Sequence, residues 1–357
     1  MFYISNPDYY NYKSKPVLYI SNIINFSGKG SLIEHLIKKD LSTKLSSDII
    51  EEHEGFSIYS ISLELTNKGL HNVNEVILVI FSYINYVKNR EIDNNLYNEI
   101  KDILNINFQF SEKDKSIGQY LGLLSNTMFK VNYEDILSAY STIEDIQEDL
   151  LKAYIKNNLT PENALIFIGS TIEDKPDDIN FKFDLNRKNK YELESWYMTK
   201  YIMRDLNKNE ISTYNKLNIS LNNEFLIRPK NPYITKFTHL VHCNDYNDND
   251  LNTEYLKKNF KNIENKDVKY NCNEEFYKIK PLHIINEESI SLFYRMDRTF
   301  EIPKINNIWN IKINQFNGEE DYIYLNIFNL YLTNIIESQL GQAIEAGNSI
   351  DLKLIDK

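Results

Sequence analysis

The sequence is poor in cysteine, glycine and proline: its 357 residues include 2 cysteines, 10 glycines and 8 prolines. The two cysteines, Cys243 and Cys272, belong to no C-x-x-C pair and to no cluster of metal-binding residues. Neither a disulfide framework nor a zinc finger is therefore supported. We expect the protein in the cytoplasm or another reducing compartment.

Two further classes of segment are missing, and basic charge is scarce. The first residues, MFYISNPDYYNYK, contain no basic region followed by an apolar core, so no signal peptide is visible. The most apolar run, residues 76–81, is much too short to span a bilayer. The 40 Lys and Arg residues are outnumbered by 51 Asp and Glu residues, which gives a net charge of -11. Because nucleic acid requires a basic face, we expect neither nucleic acid nor a membrane as a partner.

What the sequence does contain is a strong α/β pattern in its first half. Apolar and polar residues alternate in residues 55–65, which predicts a strand with one buried face. Residues 66–69 interrupt this alternation. Apolar residues then recur every three or four positions from 70 to 87, which predicts a long amphipathic helix. A strand followed by a helix that packs back on it forms an α/β layer.

Similar patterns predict further elements. Helices are expected at residues 31–39, 94–104, 116–127, 143–157 and 325–336. Strands are expected at 41–49, 291–295 and 311–314, and a buried strand at 164–170. Residues 186–235 are irregular and polar, with Trp196 and Tyr197 as the expected aromatic anchors of a segment packed on the surface.

The stretch FSGKGSLIEHL, residues 26–36, raises the question of a phosphate-binding loop. A Walker-type loop requires a glycine four residues before Gly-Lys-Ser/Thr, whereas here that glycine is missing and Gly30 separates Lys29 from Ser31. The loop still precedes a helix, where free N–H groups could bind an anion. A nucleotide-binding protein is therefore the weakest of three functional alternatives, and a simple helix cap at Gly30 or Ser31 is the plainer interpretation.

Local motifs supply no complete active site. No G-x-S-x-G elbow surrounds any serine, and His239 and His242 form the one close pair of histidines. We therefore predict no catalytic residue and no metal ligand in this chain.

The order of several segments resembles the second unit of the insulinase (insulin-degrading enzyme, pitrilysin-like) family of zinc metallopeptidases. These segments are GKGSLIEHLIKKDLS, EGFSIYSISLELTNKGL, LTPENALIFIGS and ESWYMTKY. Farther on, NEFLIRPKN and YLTNIIESQLGQAIEAG are similar to the linker and the opening of the third unit. The likeness extends over nearly the whole chain except residues 240–275.

The resemblance implies an α+β fold built from insulinase-type α/β roll units, each a mostly antiparallel sheet with helices on one face. It implies three regions. Residues 1–190 are the second, non-catalytic unit, residues 191–283 are a linker with a flexible Asn/Asp/Lys-rich insertion at 244–273, and residues 284–357 are the truncated start of the third unit.

The family hydrolyses peptides with zinc held by an H-x-x-E-H motif in its first unit, and none of the six histidines here belongs to such a motif. The resemblance therefore implies a fragment of a peptide-degrading zinc metalloendopeptidase, inactive alone, whose zinc lies in a missing first unit. Its expected partners are peptide substrates and the remaining units. The alternative is a non-catalytic peptidase-like subunit or peptide-binding module.

The family also anchors the amino terminus of its substrate as an added strand at an exosite of the second unit. Carried over by position, this site comprises two sets of residues. The first set is Leu18, Ser21, Asn22, Asn25, Ser27 and Gly28, and the facing strand carries Leu45, Ser47 and Ile49. The family has an acidic residue at the position of Ser27, and glycine-rich positions where this chain has Asn25, Ser47 and Asp48.

Overall fold

A computed structural model describes residues 1–5, 7–111, 116–144, 146–169, 192–216, 224–235, 282–286, 291–294, 308–310 and 318–347. The predicted insertion at 244–273, the strand at 311–314, the pair His239 and His242, and both cysteines lie outside these residues. The chain divides into two compact units, one of Met1–Ile234 with Asn317–Lys357 and one of Thr235–Phe316.

The first unit contains helices and strands in mixed order. Its strands are β1 (Phe2–Ile4), β2 (Ser42–Glu52), β3 (Ser57–Leu65), β4 (Glu192–Leu193) and β5 (Lys200–Tyr201). Its helices are α1 (Pro16–Ile24), α2 (Leu32–Lys38), α3 (Asn67–His71), α4 (Val73–Lys88), α5 (Asn94–Gln109), α6 (Ile117–Thr127), α7 (Glu148–Asn158), α8 (Lys208–Asn215) and α9 (Glu319–Glu345). In the second unit, β6 (Leu282–Asn286) and β7 (Ser291–Tyr294) form an antiparallel hairpin.

The main sheet of the first unit is antiparallel, with the strand order β1-β3-β2. β2 and β3 form the predicted hairpin, in which Ser47 lies opposite Ile61. The predicted alternation is present on β3, since Tyr59 is buried whereas Ser62 and Glu64 are exposed. α1 and α2 contact β2 on the buried face.

The predicted helix at residues 70–87 is present as two helices. α3 ends at His71, the backbone angles of Asn72 (φ -122°, ψ 37°) are not helical, and α4 begins at Val73. The apolar face of α4 supplies much of the core, with Val79, Tyr83 and Ile84 almost fully buried. The amphipathic helix predicted from the period of three and four residues is therefore confirmed. The predicted single helix is interrupted only at Asn72.

Residues 224–231, which we call the strap, pack on this core against residues that are far from them in the sequence. Phe225 is 1% exposed and its ring lies edge-on to that of Tyr83, at a centroid distance of 5.1 Å. The neighbouring Leu226 donates its backbone N–H to the carbonyl of Gly30 (2.8 Å). The strap therefore belongs to the first unit, although the sequence indicated only an irregular polar segment.

The buried strand predicted at residues 164–170 is wrong for the described residues, 164–169. Ala164 forms one isolated antiparallel bridge with Phe2, and no strand follows. Leu165 is 54% exposed and Phe167 is 68% exposed. An apolar run becomes a buried strand only where a neighbouring strand pairs with it, and β1, which begins at Phe2, forms a bridge with Ala164 alone.

Two other predictions need correction. Trp196 and Tyr197 are not anchors: they are exposed at the turn between β4 and β5, where both backbone N–H groups donate to Glu194 (2.7 Å each). The helix predicted from residue 143 begins instead at Glu148, and before it the N–H of Glu144 donates to the carbonyl of Lys13 (2.8 Å). In the part of the chain that the structure describes, no helix is long and apolar enough to cross a membrane.

The carboxyl group of Asp8 makes the stability of this unit depend on pH. It accepts a hydrogen bond from the backbone of Val17 (3.3 Å), and burial, with a further contribution from the nearby carboxylate of Glu52, raises its pKa to about 7. The folded state thus binds a proton that the unfolded state releases near pH 4. The contribution of Asp8 to the free energy of unfolding is therefore fully present below about pH 4 and is lost as the pH rises towards 7.

We therefore expect Asp8→Asn to make the free energy of unfolding of this unit depend less on pH. Between pH 4 and pH 8 the free energy of unfolding of the parent chain should decline by about 2–4 kcal/mol relative to that of the variant, because asparagine imitates the protonated acid. Denaturant unfolding of both chains across this range measures the difference. Parallel pH profiles would contradict the expectation.

Candidate functional site

Three of the predicted exosite residues lie on one face of α1, as their spacing requires, and a fourth, Asn25, is the C-cap residue of this helix. Leu18, Ser21, Asn22 and Asn25 follow one another at steps of three, one and three residues, so they fall within one stripe of the helix. α1 packs against β2, so this stripe lies beside the strand. Asn22 is held in place by its own helix, since its amide donates to the carbonyl of Leu18 (2.9 Å).

Three further predicted residues occupy alternate positions of β2. Leu45 and Ile49 are half-buried and Ser47 is 5% exposed, so all three side chains face the helices. The structure therefore brings the helical and strand sets together around Ser47. Ser21, which is also buried, donates its hydroxyl to that of Tyr59 (3.4 Å), and burial raises the pKa of Tyr59 to about 12.

The directions of the backbone groups on β2 follow from the sheet register. Met1 and Leu165 exchange both backbone hydrogen bonds (2.9 Å each), so the polar groups of Phe2 face β3 and pair with those of Tyr59. Successive residues of a strand alternate in direction, so the polar groups of Ile61 also face the β1 side. Ser47, opposite Ile61, must then direct its N–H and C=O away from β3.

The same alternation applies to Leu45 and Ile49, so the backbone groups of all three predicted residues point to the outer edge of β2. This edge carries no neighbouring strand among the described residues. An extended peptide adds to a sheet through exactly such groups, one N–H and one C=O at every second residue. The predicted residues therefore coincide with a row of outward hydrogen-bonding groups.

Two of these outward groups are already bonded to side chains of the protein. The amide of Asn25 donates to the carbonyl of Ser47 (2.9 Å), and the Ser47 hydroxyl donates back to the Asn25 side-chain oxygen (2.9 Å). Asp48 accepts the N–H of Ile49 (2.8 Å). We call these contacts the edge caps. They are made by Asn25, Ser47 and Asp48, the three positions at which the resemblance led us to expect glycine-rich sequence.

Ser27 and Gly28 lie at the other end of the site and contact different elements. Gly28 is covered by the ring of Phe26, which would lie 2.3 Å from any added Cβ. The hydroxyl of Ser27 lies beside Gly341 of α9, 3.4 Å from the position of a Cβ there. An exposed serine at this position offers no negative charge to a peptide amino group.

The loop at residues 28–31 is a helix cap. The Ser31 hydroxyl accepts the N–H of Glu34 (3.1 Å), and the Glu34 carboxylate accepts the N–H of Gly30 (2.6 Å). The N–H of Ser31 donates to the carbonyl of Gly28 (3.1 Å). The N–H groups of Gly30, Ser31 and Glu34 are thus bonded within the loop and the first helical turn, which argues against the nucleotide-binding alternative.

Sequence reasoning missed a buried polar group that supports this site from the strap. The guanidinium of Arg228 donates to the side chain of Asn22 (3.3 Å) and lies 4.0 Å from the carboxylate of Glu99. Glu99 also accepts the backbone N–H of Asn231 (3.1 and 3.2 Å). An arginine inside the apolar stretch FLIRP was the available signal, because a buried arginine requires acceptors.

Comparison with known proteins agrees with this architecture. Residues 1–104 match the family model described as the peptidase M16 inactive domain, and residues 108–357 match that of the middle or third domain of peptidase M16. The second match alone covers more than half of the chain. The chain therefore belongs to the M16 family of insulinase-like peptidases, as the order of its motifs predicted.

Relatives with established names share modest identity. Human insulin-degrading enzyme is 28% identical over 224 residues, which cover 62% of this chain and 20% of the relative. Human nardilysin is 24% identical over 302 residues (84% and 22%), and a nardilysin-like protein of Arabidopsis thaliana is 22% identical over 345 residues (93% and 28%). The chain thus spans about a fifth to a quarter of the length of these relatives.

A solved structure confirms the predicted fold. The crystal structure of pitrilysin matches with a TM-score of 0.60 and 22% identity, and the match covers 84% of this chain and 27% of pitrilysin. The α+β, insulinase-type fold is therefore the fold of this chain.

The residues present do not fit a catalytic zinc ion. No group of three or more His, Cys, Asp or Glu side chains able to hold a metal occurs within the described ranges, and the full sequence has no H-x-x-E-H motif.

Proposed function

We propose that this chain supplies the substrate-anchoring exosite and part of the chamber wall of a peptide-degrading M16 zinc metalloendopeptidase, and that it does not cleave peptides alone. The zinc of the parent enzyme would belong to a first unit carrying H-x-x-E-H. The division into residues 1–190, 191–283 and 284–357 is part of the same proposal. The remaining units and peptide substrates are the proposed partners.

One observation carries the anchoring role. The backbone groups of Leu45, Ser47 and Ile49 point outward along the edge of β2, beside the polar stripe of α1 that contains Asn22 and Asn25. A peptide that adds there as an antiparallel strand would bond to the backbone, so recognition would depend little on its sequence. The edge caps occupy two of the outward groups, so this binding should be weak.

The double variant Asn25→Gly, Asp48→Gly tests the role of the edge caps. Freeing the Ser47 carbonyl and the Ile49 N–H should tighten binding of an extended ten-residue peptide by about threefold to tenfold, since one net hydrogen bond contributes about 0.5–1.5 kcal/mol. Fluorescence polarisation of a labelled peptide with a free amino terminus measures this.

Lys44→Gly is the matched control, because it introduces glycine on the same strand without removing a cap. Leu45→Pro should abolish binding, since it removes an outward N–H that makes no bond to β3, whereas Leu45→Ala should retain it. Equal affinities of the double variant and the parent chain, or strong binding by Leu45→Pro, would refute anchoring at this edge.

Cleavage of a quenched fluorogenic peptide tests the wider proposal. We expect no cleavage by this chain with zinc, and cleavage when the chain is mixed with an H-x-x-E-H-bearing first unit from a relative. Activity of the chain alone would overturn the assignment of an inactive unit. No cleavage by the mixture would favour the second candidate function, which is described next.

The second candidate is a non-catalytic peptidase-like subunit or peptide-binding module. The edge caps favour it, because a subunit released from peptide anchoring gains from a closed sheet edge. The reading frame upstream of the Met1 codon separates the two candidates. A frame that encodes H-x-x-E-H supports the peptidase, and an authentic translation start supports the subunit.

A further inference from the structure

The imidazole ring of His35 is buried beneath the strap, with different surroundings at its two nitrogen atoms. His35 lies on α2 and is 7% exposed, and the ring of Phe225 contacts it at a centroid distance of 5.4 Å. The Nδ1 atom of His35 lies 3.1 Å from the carboxylate of Glu224, the first residue of the strap. Its Nε2 atom is buried and has no hydrogen-bond partner among the described residues.

These surroundings select one form of the ring at neutral pH. A carboxylate only accepts hydrogen bonds, so Nδ1 carries the hydrogen and donates it to Glu224, and Nε2 keeps its lone pair. A protonated ring would carry a second N–H at Nε2, and this donor would be buried without an acceptor in the described part of the chain. The closed strap therefore favours the neutral ring.

The charged groups that face His35 come from three elements. Lys38 and Lys39 lie at the end of α2, Glu75 lies on α4, and Glu224 lies on the strap. Lys39 is paired with Glu75 (2.8 Å), and the side chain of Glu224 is 60% exposed, so water weakens its attraction for a charged ring. Burial, together with the two lysines, lowers the pKa of His35 below its ordinary value, although the two carboxylates act in the opposite direction.

The strap is the part of these surroundings that can move to accommodate a proton. α2 is fixed in the core by Leu36, which is fully buried one residue beyond His35. The strap is attached beside the ring through Phe225 and through the backbone bond from Leu226 to Gly30 (2.8 Å). Displacing this segment uncovers the ring, so that water can accept the second hydrogen.

We propose that Glu224 and Phe225 form an acid-sensitive latch over His35: the strap is closed while the ring is neutral, and it opens at residues 224–226 when Nε2 takes up a proton. The contribution of the neutral ring to closure is complete above about pH 6.5 and is lost as the pH falls through the lowered pKa of His35 in the closed state. Asp8 cannot imitate this opening, because protonation of its carboxyl group stabilises the unit at acidic pH.

Hydrogen exchange of the strap amides between pH 7.5 and pH 5 tests the latch. Protection factors, which correct for the intrinsic pH dependence of exchange, are measured for the full chain and for His35→Asn. The asparagine amide can donate to Glu224 in place of Nδ1 but cannot take up a proton. His53→Asn is the matched control, because His53 also lies beside a carboxylate (Glu51, 3.4 Å) but has a side chain that is 56% exposed.

We expect the protection of the Leu226 amide to fall by about threefold to tenfold from pH 7.5 to pH 5, both in the parent chain and in His53→Asn. The ordinary pKa of histidine limits this response to about thirtyfold. In His35→Asn the protection should be lower, because a buried ring is lost, but it should no longer fall with pH. Glu224→Gln keeps the ring and should move the midpoint of opening to lower pH, because it removes a carboxylate that favours the charged form.

Constant protection in the parent chain, or protection that rises as the pH falls, would overturn the latch. A rise would show that the charged ring pairs with Glu224 and holds the strap more tightly. A pH response that persists in His35→Asn, or a midpoint that Glu224→Gln leaves unchanged, would also overturn it. Nitrogen NMR of the ring at pH 7.5 is an independent check: the hydrogen is expected on Nδ1, and a hydrogen on Nε2 would contradict the proposal. This inference concerns the strap and does not depend on peptide anchoring at β2.

Discussion

Phe225→Ala is expected to lower the free energy of unfolding of the first unit by about 3–5 kcal/mol, the usual cost of truncating a buried aromatic residue. The Phe225 ring is 1% exposed and contacts Tyr83, Tyr86 and His35 at centroid distances of 5.1, 5.8 and 5.4 Å. No nearby element can refill the space, because Tyr83 and the rest of α4 are fixed in the core. Denaturant unfolding measures the loss.

The same substitution should loosen the strap and so reach the candidate site. Arg228, three residues farther along, bonds to Asn22 on α1, and hydrogen exchange of the strap amides should therefore become faster. Leu226→Ala is the matched control: Leu226 is 48% exposed, and its backbone bond to Gly30 is retained. A loss in the control as large as in Phe225→Ala would contradict a special anchoring role of the Phe225 ring.

Gly69→Ala is expected to destabilise the unit by about 2–4 kcal/mol through overpacking. A Cβ at Gly69 would lie 1.8 Å from the backbone carbonyl oxygen of Leu41 and 2.8 Å from its carbonyl carbon. This carbonyl accepts the N–H of Thr66 (3.2 Å), and Leu41 itself is fully buried. The backbone at Gly69 or at Leu41 would have to move, and this movement would separate α3 from the start of β2.

Gly118→Ala provides the control for the helical glycine itself. Gly118 lies in α6 with nothing within 4 Å of an added Cβ, so alanine there should stabilise the helix by up to about 1 kcal/mol. Chemical denaturation of the two variants should therefore shift in opposite directions. Similar midpoints for both would contradict a close backbone contact at Gly69.

The parts of the fold that the sequence predicted correctly are those whose pattern reflects a single buried face. β3 and α4 each pack against the core along their whole length, so their periods of two and of three to four residues were visible. The prediction of a buried strand at residues 164–169 was wrong because an apolar run indicates burial but not whether a partner strand is present. The prediction that Trp196 and Tyr197 anchor a packed segment was wrong because a turn fixed by Glu194 leaves both rings exposed to solvent.

The candidate site stays a prediction, and only part of its geometry could be expected from the sequence. Its nine residues were placed by resemblance, and α1 and β2 bring the polar stripe and the strand residues together as expected. The pairing of Asn25 with Ser47 depends on the distance between two elements, which no local pattern encodes. The bonds of Arg228 to Asn22 and Glu99 join residues more than a hundred positions apart and were invisible for the same reason.

The edge caps also affect how copies of this protein meet one another. Among the residues that the structure describes, β2 is a long strand at the edge of its sheet, and an uncapped edge of this kind is a template on which a second copy of the same strand can assemble. Asn25 and Asp48 bond to two of the groups that such an intermolecular ladder would need. These two side chains therefore oppose self-association of the protein through this edge of its sheet.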